Sequence, residues 1–201
     1  MIKKKFFIIF FALFISVYYS CVYLYNLQNS IADKIIRLHV IANSNSAFDQ
    51  SLKLKVRDKT VEFLTPLLEN SKNITESRKI IKENIDNIEN IAIETLAQSS
   101  NYTATVELTN SDFPTKNYGD YSFPAGNYEA LKITIGEGNG QNWWCVMFPP
   151  LCFTDSAIKF PEKSVETLSE NLSEKELELI SNADNTNVQI KFKILEWLNK
   201  K

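Results

Sequence analysis

The side chains most able to do chemistry are concentrated in two places. Residues 142 to 153 read NWWCVMFPPLCF, with two tryptophans, two cysteines and two prolines, and the single histidine, His39, sits in IIRLHVIA, residues 35 to 42. A thiol activated by an imidazole is the familiar nucleophile arrangement, and Cys145 with His39 is the one pair in the chain that offers it. The competing chemistry is oxidation. Pro149 and Pro150 lie between Cys145 and Cys152, and a strand turning at them brings the second thiol back beside the first. A disulfide there closes a short loop and fixes local shape rather than stapling the whole domain. No pair of ligands has the close spacing of a zinc site, and no D-x-D loop or paired-acid motif stands out, so neither a metal nor a cofactor is expected.

The remaining polar and aromatic candidates suit recognition better than bond breaking. Trp143 and Trp144 are adjacent in a strand and face opposite sides, so one is expected in the core and the other at the surface as a binding anchor. DFPTKNYGDYSFPAGNYEAL, residues 112 to 131, holds two Phe-Pro pairs with Tyr118, Tyr121 and Tyr128 interleaved. Proline restricts the residue before it and lacks a donor, which predicts a rigid extended loop or an edge hairpin. Such a segment is a preformed surface for a partner. Candidate surface residues are therefore Arg37, His39, Asn43, Asp49, Phe113, Tyr118, Tyr121, Phe123, Tyr128, Trp143, Trp144 and Phe148. Arg37, Asp49, Lys53 and Arg57 are expected to form an ionic cluster at the start of the first helix of the domain.

Elements to position these residues follow from periodicity. MIKKK is followed by an uncharged run from Phe6 to Tyr25. Twenty helical residues rise about 30 Å, enough to cross a bilayer, and the lysines hold the N-terminus in the cytoplasm. The run is read as an uncleaved anchor. A cleaved signal peptide has the same basic start and apolar middle, although Tyr23 and Tyr25 are bulky for a cleavage site. Lipidation at Cys21 is disfavoured by the bulk of Tyr18 and Tyr19. Residues 1–29 are thus an anchor or signal peptide, and 30–201 a single extracytoplasmic domain.

Leaving Lys3, Lys4 and Lys5 on the far side takes the 22 Lys and Arg to 19 against 24 Asp and Glu, a net of −5 outside the membrane. That charge offers nothing to a polyanion and excludes nucleic-acid binding. Lys53, Lys55 and Lys59 lie near carboxylates and read as a solvated face.

Arg37 and His39 alternate with Ile36, Leu38 and Val40, as in a strand. Apolar residues at helical spacing, Leu52, Val56, Val61, Phe63, Leu64 and Leu67, predict a helix over 49–68, with Pro66 kinking or ending it. Ile80, Ile81, Ile85, Ile88, Ile91, Ile93 and Leu96 predict one further helix over 75–98. Strands follow from Tyr102, from Asn127 and from Asn142, the last two joined as a hairpin through GEGNG with Gly138 or Gly140 at positive φ. SEKELELI begins with Ser173 and Glu176 as a capping box. NVQIKFKI predicts a last strand, and residues 196–201 a terminal helix. The fold class is α+β, with early amphipathic helices packed on a mostly antiparallel sheet formed largely by the C-terminal half.

The strings IIRLHVIANSNSAFDQSLKLKVRDKTVEFL, FPTKNYGDYSFPAGNYEALKITIGEGNG and NWWCVMFPPLCF are long and unusual. Together they resemble the stage II sporulation protein R family of endospore-forming bacteria, over residues 35 to 160. The resemblance implies a signal and not a catalyst. Its members are exported from the forespore into the space between forespore and mother cell. There they switch on a membrane-embedded aspartic protease that processes the precursor of sigma factor E. It implies no active-site residue and leaves the oligomeric state open. A hydrolase using Cys145 and His39, or a passive envelope protein, are the alternatives that residue chemistry alone allows.

Overall fold

The computed structural model describes residues 2–152 and 162–181. Helix α1 (Ile2–Ala32) contains the uncharged run and is long and apolar enough to cross a membrane. It does not stop at the end of that run. Leu24, Leu27, Gln28 and Ile31, spaced three and four apart, form one face that packs into the domain. Gln28 is buried and its amide donates to the Ala125 carbonyl at 2.8 Å. The helix passes close over Gly126, where a Cβ would collide with the Gln28 amide, so a larger residue there displaces the Gln28 side chain from its hydrogen bond.

The main sheet has the order β2 (Ala104–Phe113), β5 (Gly126–Ile135), β1 (Ile36–Ile41), β6 (Asn142–Phe148). Two of its three pairings are antiparallel, and β1 runs parallel to β5. The fold is α+β, as the periodicity predicts, with three of the four strands drawn from the C-terminal half. One expectation is overturned: β5 and β6 do not form a hairpin, because β1 lies between them. The glycine turn bridges across it instead. Gly136 and Gly138 take positive φ of 54° and 64°, and Asn139 N and Gly140 N donate to the carbonyls of Asn43 and Ala42 beyond the end of β1.

Helices α2 (Ala47–Leu68), α3 (Ile74–Glu83) and α4 (Ile85–Ala97) follow β1. Ser46 caps α2 by accepting from Asp49 N, and Pro66 is accommodated in the last turn. The apolar stripe between 75 and 98 belongs to two helices, not one. Asn84 breaks them, with φ of −114° and ψ of 11° and a side chain that donates back to the Ile80 carbonyl. Asn73 caps α3 by accepting from Glu76 N, while the Glu76 carboxylate accepts from Lys72 N. The buried stripes Leu52, Val56, Leu64 and Leu68 of α2 and Ile88, Ala92 and Leu96 of α4 cover one sheet face. That face presents Ile36, Leu38, Val40, Leu131, Ile133, Cys145 and Met147. Lys53 departs from the expected solvated face: it is buried, and its ammonium donates to Gln50 Oε1 and the Gln141 carbonyl.

The opposite sheet face is covered by other elements. A separate two-stranded sheet pairs β3 (Lys116–Tyr118) with β4 (Tyr121–Phe123), so the proline-rich segment is a hairpin turning at Gly119. The foot of α1 and helices α5 (Glu162–Asn171) and α6 (Glu174–Ser181) complete this layer. The carboxylate half of the capping box forms at α6, where Glu176 accepts from Ser173 N and Oγ. Cys145 and Cys152 are joined as a disulfide across the turn after β6, which contains a cis Phe148–Pro149 bond. The predicted strand at NVQIKFKI and the terminal helix lie outside the described residues.

Candidate functional site

The alternation of β1 decides which candidates meet. Side chains in a strand point to opposite faces with period two. Ile36, Leu38 and Val40 enter the helical core, so Arg37 and His39 point under the β3–β4 hairpin. Arg37 is fully buried. Its guanidinium carbon lies 4.2 Å from the centre of the Phe113 ring and 4.9 Å from Tyr128, with Tyr118 and Phe123 at 5.8 and 6.0 Å. Four of the predicted aromatic residues therefore form a cage around one predicted cation, each ring presenting electron density to it.

The hydrogen bonds of the cage run outward from Arg37. Nη2 donates to Tyr118 Oη at 2.8 Å, and Tyr118 Oη donates to the Trp144 carbonyl at 3.1 Å. Burial raises the Tyr118 pKa, against the pull of the neighbouring guanidinium. Tyr128 Oη donates to the Pro124 carbonyl at 2.7 Å, and burial pushes its pKa up to about 12. Both hydroxyls are therefore neutral and neither supplies an anion.

His39 stands beside the cage. Its ring stacks on Trp144 at 6.1 Å, an interplanar angle of 23°, and lies 5.7 Å from Phe113. Its Nε2 shares a 2.9 Å hydrogen bond with Asn142 Oδ1. Burial lowers its pKa, opposed by the Asn142 hydrogen bond and reinforced by the charges of Lys132 and Arg37. Lys116 places its ammonium 4.5 Å over the Trp144 ring.

This geometry separates His39 from Cys145. His39 is opposite Trp144 in the β1–β6 register, and Cys145 is opposite Leu38 on the helical face. Cys145 is also consumed in the bond to Cys152. A nucleophile activated by that histidine does not form.

Several surface expectations are corrected. Arg37, His39, Asp49, Phe113, Phe123, Tyr128 and Phe148 are buried, so they are not solvent-facing. Asp49 accepts from Ser44 Oγ at 2.6 Å and Asn43 Nδ2 at 2.9 Å, and these hydrogen bonds hold its carboxyl below the usual range. Asn43 also accepts from Glu137 N, pinning the glycine turn to the start of α2. The expected cluster of Arg37, Asp49, Lys53 and Arg57 does not assemble, because Arg37 is on the far side of the sheet from α2. Arg57 instead pairs with Asp58 and covers the Trp143 ring at 4.2 Å. Trp143 is the outward tryptophan, 37% exposed, whereas Trp144 is half-buried against the second core cluster, as are Tyr118 and Tyr121.

Sequence reasoning missed Gln28, Lys116, Asn142 and the pair Lys34 and Glu176. Lys34 Nζ lies 2.6 Å from the buried Glu176 carboxylate, which also accepts from Ser30. Burial pushes this carboxyl up, but Lys34, Ser30 and Ser173 outweigh it and hold the pKa down at about 2. Only Asn142 carried a local signal, since it falls on the same strand face as Trp144.

The family model described as stage II sporulation protein R matches residues 32–158. A curated relative, stage II sporulation protein R of Bacillus subtilis (strain 168), is 37% identical over 183 residues, which covers 84% of this chain and 82% of the relative. No solved structure matches.

Proposed function

Because the chain belongs to the stage II sporulation protein R family, we propose that it is an exported signal which activates a membrane-embedded aspartic protease. That protease processes the mother-cell precursor of sigma factor E. In this reading the domain stands in the space between forespore and mother cell, bound to the forespore inner membrane by α1. The protein works by recognition and breaks no bond itself.

The observation that supports this most is the unbroken passage of α1 from its apolar span into the domain core. Leu24, Leu27, Gln28 and Ile31 leave no flexible linker, so the domain has a set orientation at the membrane. Its foot lies at the start of β1. Trp143 pairs with Val40 near the other end of that strand, about 13 Å along it at 3.3 Å per residue. The exposed Trp143 and Phe48 are therefore presented away from the exporting membrane, where a partner on the facing membrane would meet them. Trp143 and Asn43 are the predicted surface residues that we assign to this contact, whereas Tyr121 lies in the hairpin on the opposite face.

The test is genetic. Removing the gene from its sporulating host and following the sigma factor E precursor by immunoblot should leave the precursor uncleaved, and forespore expression of the chain should restore cleavage. Normal cleavage without the chain would refute the reading.

A further inference from the structure

Among the described residues, five buried side-chain nitrogen or oxygen atoms have no hydrogen-bond partner: Arg37 Nε and Nη1, His39 Nδ1, Trp144 Nε1 and Asp49 Oδ1. The first four share one sheet face. Arg37 and His39 are two apart on β1, Trp144 faces His39 across β6, and the Phe113 ring lies against both Arg37 and His39. Buried polar groups are ordinarily satisfied, and a buried charge is ordinarily paired. Arginine and the indole nitrogen only donate, so Arg37 Nε and Nη1 and Trp144 Nε1 are donors, whereas a neutral His39 that donates Nε2–H to Asn142 Oδ1 presents Nδ1 as an acceptor. The strip is thus rich in donors, and no described carboxylate lies within ion-pair distance of Arg37.

We propose that this strip is a seat for a carboxylate carried by an acidic peptide segment of the partner, admitted when the β3–β4 hairpin lifts. The proposal deepens the recognition role above by naming the group recognised, and it rests on that role only for the partner's identity. The hairpin has the character of a cover. Tyr118 and Phe123 supply two of the four rings around the guanidinium, and Tyr118 Oη ties the hairpin to Arg37 and to the Trp144 carbonyl. Each of its strands has three residues, and a ribbon that short depends on such ties.

A single carboxylate fits the chemistry better than other acceptors. A backbone carbonyl would leave the guanidinium charge uncompensated. A polyvalent anion would meet the net negative exterior and the cost of desolvating several charges in an aromatic cage. Among the described residues, Lys116 over Trp144 and Lys132 opposite His39 with its partner Glu107 lie on this face, with Lys34–Glu176 and Asp120 in the layer that covers it.

The chain's arginines are Arg37, Arg57 and Arg78, so their Nε–H signals form a simple spectrum. Full chain in lipid nanodiscs, labelled with ¹⁵N-arginine, is titrated with acetate and with a capped aspartate-rich hexapeptide, using acetamide and chloride at matched ionic strength as controls. The Arg37 signal is assigned by its loss in Arg37→Lys. The expected result is a saturable shift of that signal with acetate and peptide and none with the controls. Tyr118→Phe, which frees the hairpin while preserving the ring, should tighten apparent acetate binding several-fold, because the open form becomes more populated. An Arg37 signal that acetate leaves unmoved in both wild type and Tyr118→Phe overturns the proposal, as it would if a carboxylate of this chain already filled the seat. An equal response to chloride, meaning an adventitious ion only, also overturns it. Precursor cleavage does not enter this assay, so its failure is distinct from failure of the signalling role.

Discussion

Lys34 and Glu176, 142 residues apart in sequence, meet at 2.6 Å and join the foot of the membrane helix to α6. The carboxylate is buried and also held by Ser30 and Ser173, whereas the ammonium is about a third exposed. The pair therefore ties the foot of the membrane helix to the layer that covers Arg37.

Glu176→Ala should strand these donors and cost about 2 kcal/mol of stability, the scale of losing hydrogen bonds to a charged group. Denaturant unfolding of the full chain in detergent measures it. Amide exchange should quicken at residues 27–32 more than in β5. The pH dependence has a definite sign. The folded pKa of about 2 is below the ordinary carboxylate value, so the contribution is complete above pH about 4.5 and is lost as the pH falls toward 2. Glu176→Gln should flatten that decline.

His39 is the chain's single histidine, which isolates its titration. Its folded pKa is lowered, chiefly by burial. The unfolded chain therefore takes up a proton first, and stability should begin to fall as the pH drops below about 6.5. His39→Gln should remove this limb of the stability profile. An imidazole resonance titrating at or above the ordinary value would contradict the buried, neutral histidine.

With Cys145 bonded to Cys152, alkylation of the denatured, non-reduced chain should label Cys21 alone, and reduction should raise the count to three. The double substitution Cys145→Ser with Cys152→Ser should lower stability by roughly 2 kcal/mol, since the closed loop is short. Two additional labelled thiols before reduction would contradict the bond.

The two tryptophans should separate recognition from stability. Trp143 is outward, so Trp143→Ala should leave unfolding nearly unchanged while reducing precursor cleavage at least tenfold, as an aromatic anchor at an interface does. Trp144 packs against His39 and Lys116, so Trp144→Ala should cost about 2 kcal/mol, roughly half of a full core truncation. Unfolding curves beside cleavage assays measure both.

How much of this was legible in sequence depended on how local the deciding interaction was. The alternation of IIRLHVI identified β1 and put Arg37 and His39 on one side, but a charged residue alternating in a strand reads as solvent-facing. Its burial depended on rings from Phe113 to Tyr128, brought in by a hairpin whose docking no local pattern reports. The sheet order was hidden for a similar reason. GEGNG has hairpin chemistry, yet its amides bind the Asn43 and Ala42 carbonyls, admitting β1 between the strands it connects. The break at Asn84 was masked by isoleucines that keep helical spacing across it. The foot of α1 was obscured because Asn26, Gln28 and Asn29 end the apolar run while the helix continues to Ala32.

The signalling role is tested most directly by reconstitution. Membranes containing the candidate protease and the sigma factor E precursor are mixed with vesicles bearing the full chain, its domain facing outward, and cleavage is followed against time. The account predicts cleavage only when the chain is present, rising to saturation with its concentration and falling with Trp143→Ala. Equal cleavage in its absence, or none from a competent protease with folded chain present, would contradict it.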